Sequence, residues 1–236
     1  MNIAPPKPSS FTVFRIAADL THLFSILLLG WKMKKSRSCA GISLKTQILF
    51  GLVYLTRYLD VVRLITRFEA IKIYNFSFKV IYILAQCSII WAMKKKFRAT
   101  YDPRLDSFPS SYLVGCSAII AFLVAPKSFY SAFLTSVEEQ FWTFSIVLES
   151  VAIFPQLFML YKTGEAENIT THYLFSLGAY RGLYVLNWMY RYLRWGATPG
   201  WIAFLFGVLQ TGLYGDFFYL YYKNVLYGKK FQLLPH

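Results

Sequence analysis

Phe141-Trp142-Thr143-Phe144-Ser145-Ile146-Val147-Leu148-Glu149-Ser150-Val151-Ala152-Ile153-Phe154-Pro155-Gln156-Leu157-Phe158-Met159-Leu160-Tyr161 is an almost uninterrupted apolar run with one carboxylate, Glu149, near its middle. A helix needs about 20 apolar residues to cross a bilayer, and this run has that length. Working outward, six more such segments appear: Thr12–Trp31, Ile42–Val62, Phe76–Met93, Tyr112–Ala125, Thr170–Tyr192 and Trp201–Tyr222. Tyr112–Ala125 is short for a span and is equally readable as a buried helix or hairpin. An even number of spans would put the tail on the wrong side for the charge pattern below, so seven are expected. The fold class is therefore all-α, a seven-helix membrane protein.

The composition agrees. The chain has 236 residues, 56% hydrophobic, 19% aromatic and 15% charged, whereas soluble domains carry roughly 25% charged residues. That apolar content excludes disorder, and three cysteines exclude a disulfide scaffold. The formal charge of +14 raises nucleic acid as a partner, so the placement of the charge decides. One set of loops and the tail hold fourteen of the 25 basic residues, including Lys32, Lys34, Lys35, Arg37, Lys94, Lys95, Lys96 and Arg98. The opposite side holds seven, among them Arg63, Lys72 and Lys79, and Arg15, Arg57, Arg181 and Arg191 fall in spans. The positive-inside rule then places the N-terminus in the lumen and the C-terminus in the cytosol. Most of the charge is topology, and nucleic acid binding drops out. The expected organisation is a lumenal extension over residues 1–11, a membrane domain over 12–222 and a cytosolic tail over 223–236.

The N-terminal stretch lacks the basic n-region and small-residue cleavage site of a signal peptide, so the first span is expected to be retained. Cys39, beside the membrane, is open to acylation, though a free thiol is the default. Of two sequons, Asn75-Phe76-Ser77 and Asn168-Ile169-Thr170, only the first lies on the expected lumenal side.

Ionisable groups inside spans are costly, at least about 2.5–3.5 kcal/mol each at mid-helix, and so are functional candidates. Arg15, Asp19 and His22 share one helical face, as do Tyr180, Tyr184, Asn187 and Arg191, with Arg181 and Trp188 alongside. Arg57 and Asp60 are three apart on the second span; Glu139, Trp142 and Glu149 are spaced for one face of the fifth. By depth, Arg15, Arg57, Arg191, Asp60, Glu139 and Trp142 all lie toward the lumen, where they can line one cavity. Three arginines suit about three anionic groups, since guanidinium forks pair bidentately with carboxylates. Asp60, Glu139 and the Trp142 face suit a cation at the other end. A short acidic peptide with a free C-terminus fits. Arg57–Asp60 and Arg15–Asp19 are also readable as structural pairs, and His22 as a hydrogen-bonded bystander. No nucleophile elbow, metal spacing or HExxH is present, so neither an enzyme nor a cofactor is expected.

These residues sit in longer runs that resemble one family. Thr56-Arg57-Tyr58-Leu59-Asp60, Trp142-Thr143-Phe144-Ser145, Leu148-Glu149-Ser150-Val151-Ala152, Pro155-Gln156-Leu157, Thr163-Gly164-Glu165-Ala166-Glu167, Thr171-His172-Tyr173, Asn187-Trp188 and Asp216-Phe217-Phe218-Tyr219-Leu220 resemble the KDEL receptors. The resemblance implies a fold like that of SWEET and PQ-loop transporters, two three-helix bundles joined by the fourth helix, with Pro155-Gln156 as the PQ pair. It implies binding of the C-terminal retrieval tetrapeptide of escaped endoplasmic reticulum proteins in the acidic Golgi, return in COPI vesicles, and release near neutral pH. On that basis Arg57 takes the terminal carboxylate with Tyr58 helping, Arg15 the glutamate and Arg191 the aspartate. Asp60, Glu139 and Trp142 read the first signal residue, and Tyr184, Asn187 and Trp188 complete the site. His22 matches the pH-sensing histidine, Glu149–Tyr180 with Arg181 the lock of the closed state, and Lys229-Lys230 the COPI-binding pair. Two departures stand out: about ten extra residues before Phe14-Arg15, and a longer, more basic Val61–Ile73 segment. Glu138 beside Glu139 bears on the first signal position. The competing reading is a PQ-loop-type transporter of a small solute.

Overall fold

The computed structural model describes residues 11–59, 70–125, 133–166, 168–225 and 231–232. Helix α1, Val13–Ser36, starts at Thr12, whose hydroxyl accepts the Arg15 amide at 3.2 Å, and ends on Arg37 in the left-handed region. Helix α2, Leu44–Arg57, is capped by Ser43, which accepts the Thr46 amide at 3.1 Å. Helix α3, Ala70–Trp91, runs on through a π-turn over Ala92–Lys96 and a short 3-10 turn over Arg98–Thr100. Helix α4 is Ser110–Val124, and α5, Phe133–Val151, is followed by α6, Phe154–Thr163. Then come α7, Asn168–Trp195, α8, Trp201–Leu213, and α9, Gly215–Val225. A two-residue antiparallel pairing of Glu165–Ala166 with Phe231–Gln232 is the only strand structure among the described residues.

Two expected single helices are broken. The run Phe141–Tyr161 divides at Ala152–Ile153, because Pro155 lacks an N–H and its ring collides with the carbonyl of Val151 one turn earlier. Proline is well placed instead in the first turn of α6. The run Trp201–Tyr222 divides at Tyr214, between Gly212 and Gly215. With each broken pair counted as one rod, the described helices follow the seven expected segments.

Segments Val13–Ser36, Ile73–Lys96 and Val137–Thr163 are long and apolar enough to cross a membrane, while Ser110–Val124 and Trp201–Leu213 are shorter apolar helices. Large apolar side chains stand outward along them, such as Leu20, Phe24 and Leu27 on α1 and Ile119, Phe122 and Leu123 on α4. A water-soluble surface of this kind would aggregate; against lipid it is the solvated state. Helix α3 lies against both α1 and α2, and α8 against both α5 and α7. The two triplets meet through α1 on α7 and α2 on α5, with α4 packed on α5. Gly178 permits part of this: a Cβ there would sit 2.6 Å from ring atoms of Tyr214 and Phe218.

At the end of the bundle where α2 begins, polar groups tie the triplets together. Gln156 accepts the Ser43 amide at 2.8 Å, donates to Gly41 O at 2.9 Å, and donates its own amide to Thr46 Oγ1 at 3.0 Å. Asp106, buried, accepts from Ser43 Oγ at 2.7 Å, the Lys45 amide at 3.1 Å and Tyr101 OH at 2.8 Å. Its charge thus meets the positive end of the α2 dipole. Burial and the bond to Asp106 push the Tyr101 hydroxyl above the ordinary phenol range, so it stays a donor at any physiological pH.

Candidate functional site

At the opposite end, where α1, α3 and α5 start and α2 and α7 finish, lies an open cavity of about 320 Å³. Arg15, Asp19 and His22 come from α1, Arg57 and Tyr58 from the end of α2, Trp142 and Glu149 from α5, and Tyr180, Arg181, Tyr184 and Trp188 from α7. The four sequence stripes therefore do converge. Four cations (Arg15, Arg57, Lys79 and Arg181) face two carboxylates, Asp19 and Glu149, across its lining. A lining richer in cations than in carboxylates suits an anionic ligand.

Glu149 is the floor. Arg57 Nη1 lies 2.5 Å from its Oε2, Arg181 pairs with the same oxygen, and Tyr180 OH donates to Oε1. Arg57 Nε donates to Ser145 Oγ at 3.1 Å, and its Nη2 is buried without a partner. One fork nitrogen of Arg57 is thus left for an acceptor that no described residue supplies. His22 is buried beside this group: its ring stacks on Tyr180 at 4.1 Å, and its Nε2 shares a 2.7 Å hydrogen bond with Tyr54 OH. Tyr82 lies 4.6 Å from the same ring. Tyr180 links the histidine ring to the carboxylate.

Near the mouth, Arg15 Nη2 donates to Asn75 Oδ1 at 2.6 Å and its Nε is 3.9 Å from Asp19. Asp19 also accepts from Tyr74 OH at 2.7 Å and from Tyr184 OH. Trp188 overlies Gly207 of α8, where a Cβ would come within 2.7 Å of the indole.

Glu139 lines an adjoining cavity of about 390 Å³ with Glu138, and the two cavities share Arg57, Tyr58, Lys79 and Trp142. One oxygen of Glu139, Oε2, is buried without a partner among the described residues. Asn187 does not line the cavity; it is buried and pairs with Thr12 Oγ1. Arg191, one turn beyond Asn187, is also absent from the lining, and its Nε is buried without a partner among the described residues. The third arginine of the cavity is Arg181. Asp60, Lys229 and Lys230 lie outside the described residues.

Sequence reading missed the contribution of α3. Tyr74, Asn75, Phe78, Lys79 and Tyr82 form one wall, and Tyr74, Phe78 and Tyr82 recur every four residues, a stripe as regular as those recognised. Lys79, counted above as a loop charge, lies 5.4 Å over the Tyr58 ring. Asn75, read as a sequon, is the hydrogen-bond partner of Arg15. Cys39 is buried and hydrogen-bonded to Phe97 O at 3.3 Å, so it presents no thiol for acylation.

Fold and site together define a polytopic membrane protein whose two helical halves enclose a positively biased ligand cavity. The family model for the ER lumen protein retaining receptor matches residues 38–191. Proteins called ER lumen protein-retaining receptor are similar over 94% of this chain and 98% of their own length, at 51% identity in Drosophila melanogaster. Receptor 2 of Danio rerio is 53% identical and that of Homo sapiens 51%, over the same shares. The chain belongs to the ER lumen protein-retaining receptor family, which makes it a multi-pass membrane protein of the endoplasmic reticulum and Golgi.

Proposed function

We propose that the chain captures the C-terminal Lys-Asp-Glu-Leu or His-Asp-Glu-Leu signal of escaped endoplasmic reticulum proteins in the Golgi and returns them in COPI vesicles. The observation that carries this is the cavity in which four cations face two carboxylates, with an Arg57 fork nitrogen unpartnered. A peptide that carries two acidic side chains just before a C-terminal leucine with a free carboxylate brings three anionic groups to it. Arg57 with Tyr58 takes the terminal carboxylate and Arg15 the glutamate, and the family resemblance assigns the aspartate to Arg191, which stands outside the lining beyond Asn187. Asp60, Glu139 and Trp142 read the first residue. The cavity faces the lumen, residues 1–11 precede the bundle there, and residues 223–236 carry Lys229 and Lys230 to the coat in the cytosol. The protein binds and carries its ligand without transforming it.

Acid favours capture through His22, an imidazole type that titrates near pH 6.5 in solution. The groups facing it are Tyr54 of α2, Tyr82 of α3 and Tyr180 of α7, with the charges of Glu149, Arg57 and Arg181 beyond them. A proton on His22 adds positive charge beside the Tyr180–Glu149 bond and tightens the closed arrangement. The test is binding of a labelled peptide ending in Lys-Asp-Glu-Leu at about pH 5.5 and about pH 7.5. Acid-favoured binding is expected. Amidation of the peptide or Arg57→Ala removes a buried charge partner and costs about 2–5 kcal/mol of affinity. Absence of binding by both signal peptides refutes the ligand, and uptake of small solutes into proteoliposomes then becomes the reading.

A further inference from the structure

Two basic turns at the end of the bundle opposite the cavity have no role in signal capture. The end of α1 presents Lys34, Lys35 and Arg37, all exposed. The π-turn after α3 and the 3-10 turn that follows it present Lys94, Lys95, Lys96 and Arg98, also exposed. None of these seven pairs with a carboxylate among the described residues. The nearest acids in sequence are occupied elsewhere, Asp102 with the Arg104 amide at 2.8 Å and Asp106 in the α2 cap.

Tertiary structure joins the two turns. The Cys39 amide donates to Thr100 Oγ1 at 2.9 Å and its thiol to Phe97 O at 3.3 Å. Arg37 is two residues from that pin and Arg98 is next to Phe97, so the two clusters lie within a few residue lengths of each other. Exposed tryptophans fix the depth. Trp31 and Trp91 stand one turn before the respective lysine groups, where aromatic rings mark the headgroup level. Lys35 Nζ lies 4.6 Å over the Trp31 ring and Lys96 Nζ 5.5 Å over Phe97.

Orientation alone is satisfied by scattered lysines, and a last helical turn welcomes any cation. Neither requires two clusters held together by a buried cysteine. We propose that the pinned turns form one binding site for a polyanionic phospholipid headgroup, of the phosphoinositide class, in the cytosolic leaflet. Clusters of four to eight lysines and arginines beside a span have this chemistry, and a multiply phosphorylated headgroup is the ligand that can engage both turns at once. The site rests on the orientation of the bundle and not on its cargo.

The experiment uses the full chain in detergent, with a short-chain phosphatidylinositol bisphosphate titrated by native mass spectrometry and phosphatidylserine and phosphatidylcholine as comparisons. Selective retention of the bisphosphate is expected. Neutralising either turn, by Lys34→Gln with Lys35→Gln and Arg37→Gln or by Lys94→Gln with Lys95→Gln and Lys96→Gln, should weaken retention about tenfold or more. Thr100→Val, which changes no charge, should weaken it severalfold by removing the Cys39 amide bond from the pin and leaving the thiol bond to Phe97 O. Lys94→Arg with Lys95→Arg and Lys96→Arg should retain it. Thermal unfolding of each variant separates loss of the site from loss of the fold. Retention that follows charge alone, with phosphatidylserine equal to the bisphosphate or Thr100→Val without effect, overturns the composite site. Equal binding of free inositol polyphosphate overturns the lipid assignment. Loss of purified COPI coat binding in the neutralised variants, with lipid retention unchanged, makes the patch a protein-docking surface and overturns it as well.

Discussion

Replacing Glu149 with glutamine should expose how the cavity floor is balanced. The carboxylate is 2% exposed, and its partners Arg57 and Arg181 are 17% and 10% exposed at their side chains. Glutamine keeps the volume and an acceptor for Tyr180 OH, so packing is barely touched. It leaves the guanidiniums of Arg57 and Arg181 without the carboxylate they share. Removing one partner of a buried pair costs about 3–5 kcal/mol. At roughly 2–4 °C per kcal/mol for a chain of this size, the melting temperature should fall by about 6–20 °C. The assay is thermal unfolding of purified protein in detergent, with and without signal peptide. A peptide carboxylate can take over Arg57, so saturating peptide should recover part of the loss. The double variant Glu149→Gln with Arg181→Gln removes one of the stranded charges and should be more stable than Glu149→Gln alone. A single variant that melts like the parent, or a double variant less stable than the single, refutes the charge-balance argument.

His22→Ala should flatten the difference between acid and neutral peptide affinity while leaving neutral affinity within about threefold, a direct reading of the switch assignment. Asn75→Ala frees Arg15 from its 2.6 Å bond, and a charged hydrogen bond is worth about 1.5–3 kcal/mol; peptide titration should show roughly tenfold or greater weakening. Gly178→Ala puts a Cβ 2.6 Å from two aromatic rings and should cost about 1–3 kcal/mol in thermal unfolding, with peptide affinity less affected. Asp106→Ala strips the acceptor from Ser43 Oγ, the Lys45 amide and Tyr101 OH, and a loss of at least about 1–3 kcal/mol in stability is expected.

Length and hydropathy by themselves determined that this chain is an all-helical membrane protein, because the cost of burying an unsatisfied backbone in lipid leaves few alternatives to helices of about 20 apolar residues. Spacing within a helix determined which side chains share a face, so Arg15, Asp19 and His22, and Tyr180 with Tyr184, were legible as stripes before any packing was known. Two things were not. Partner choice among charges depends on which helices touch: Arg57 at the end of α2 reaches Glu149 on α5, since α2 packs on α5. The α3 wall escaped notice because Tyr74, Phe78 and Tyr82 are apolar enough to read as membrane surface. Only contact with Asp19 and His22 makes their hydroxyls and rings part of the site. The same holds for Cys39 and the two basic turns, since periodicity acts along one helix and hydrogen bonds between loops sixty residues apart have no local signature.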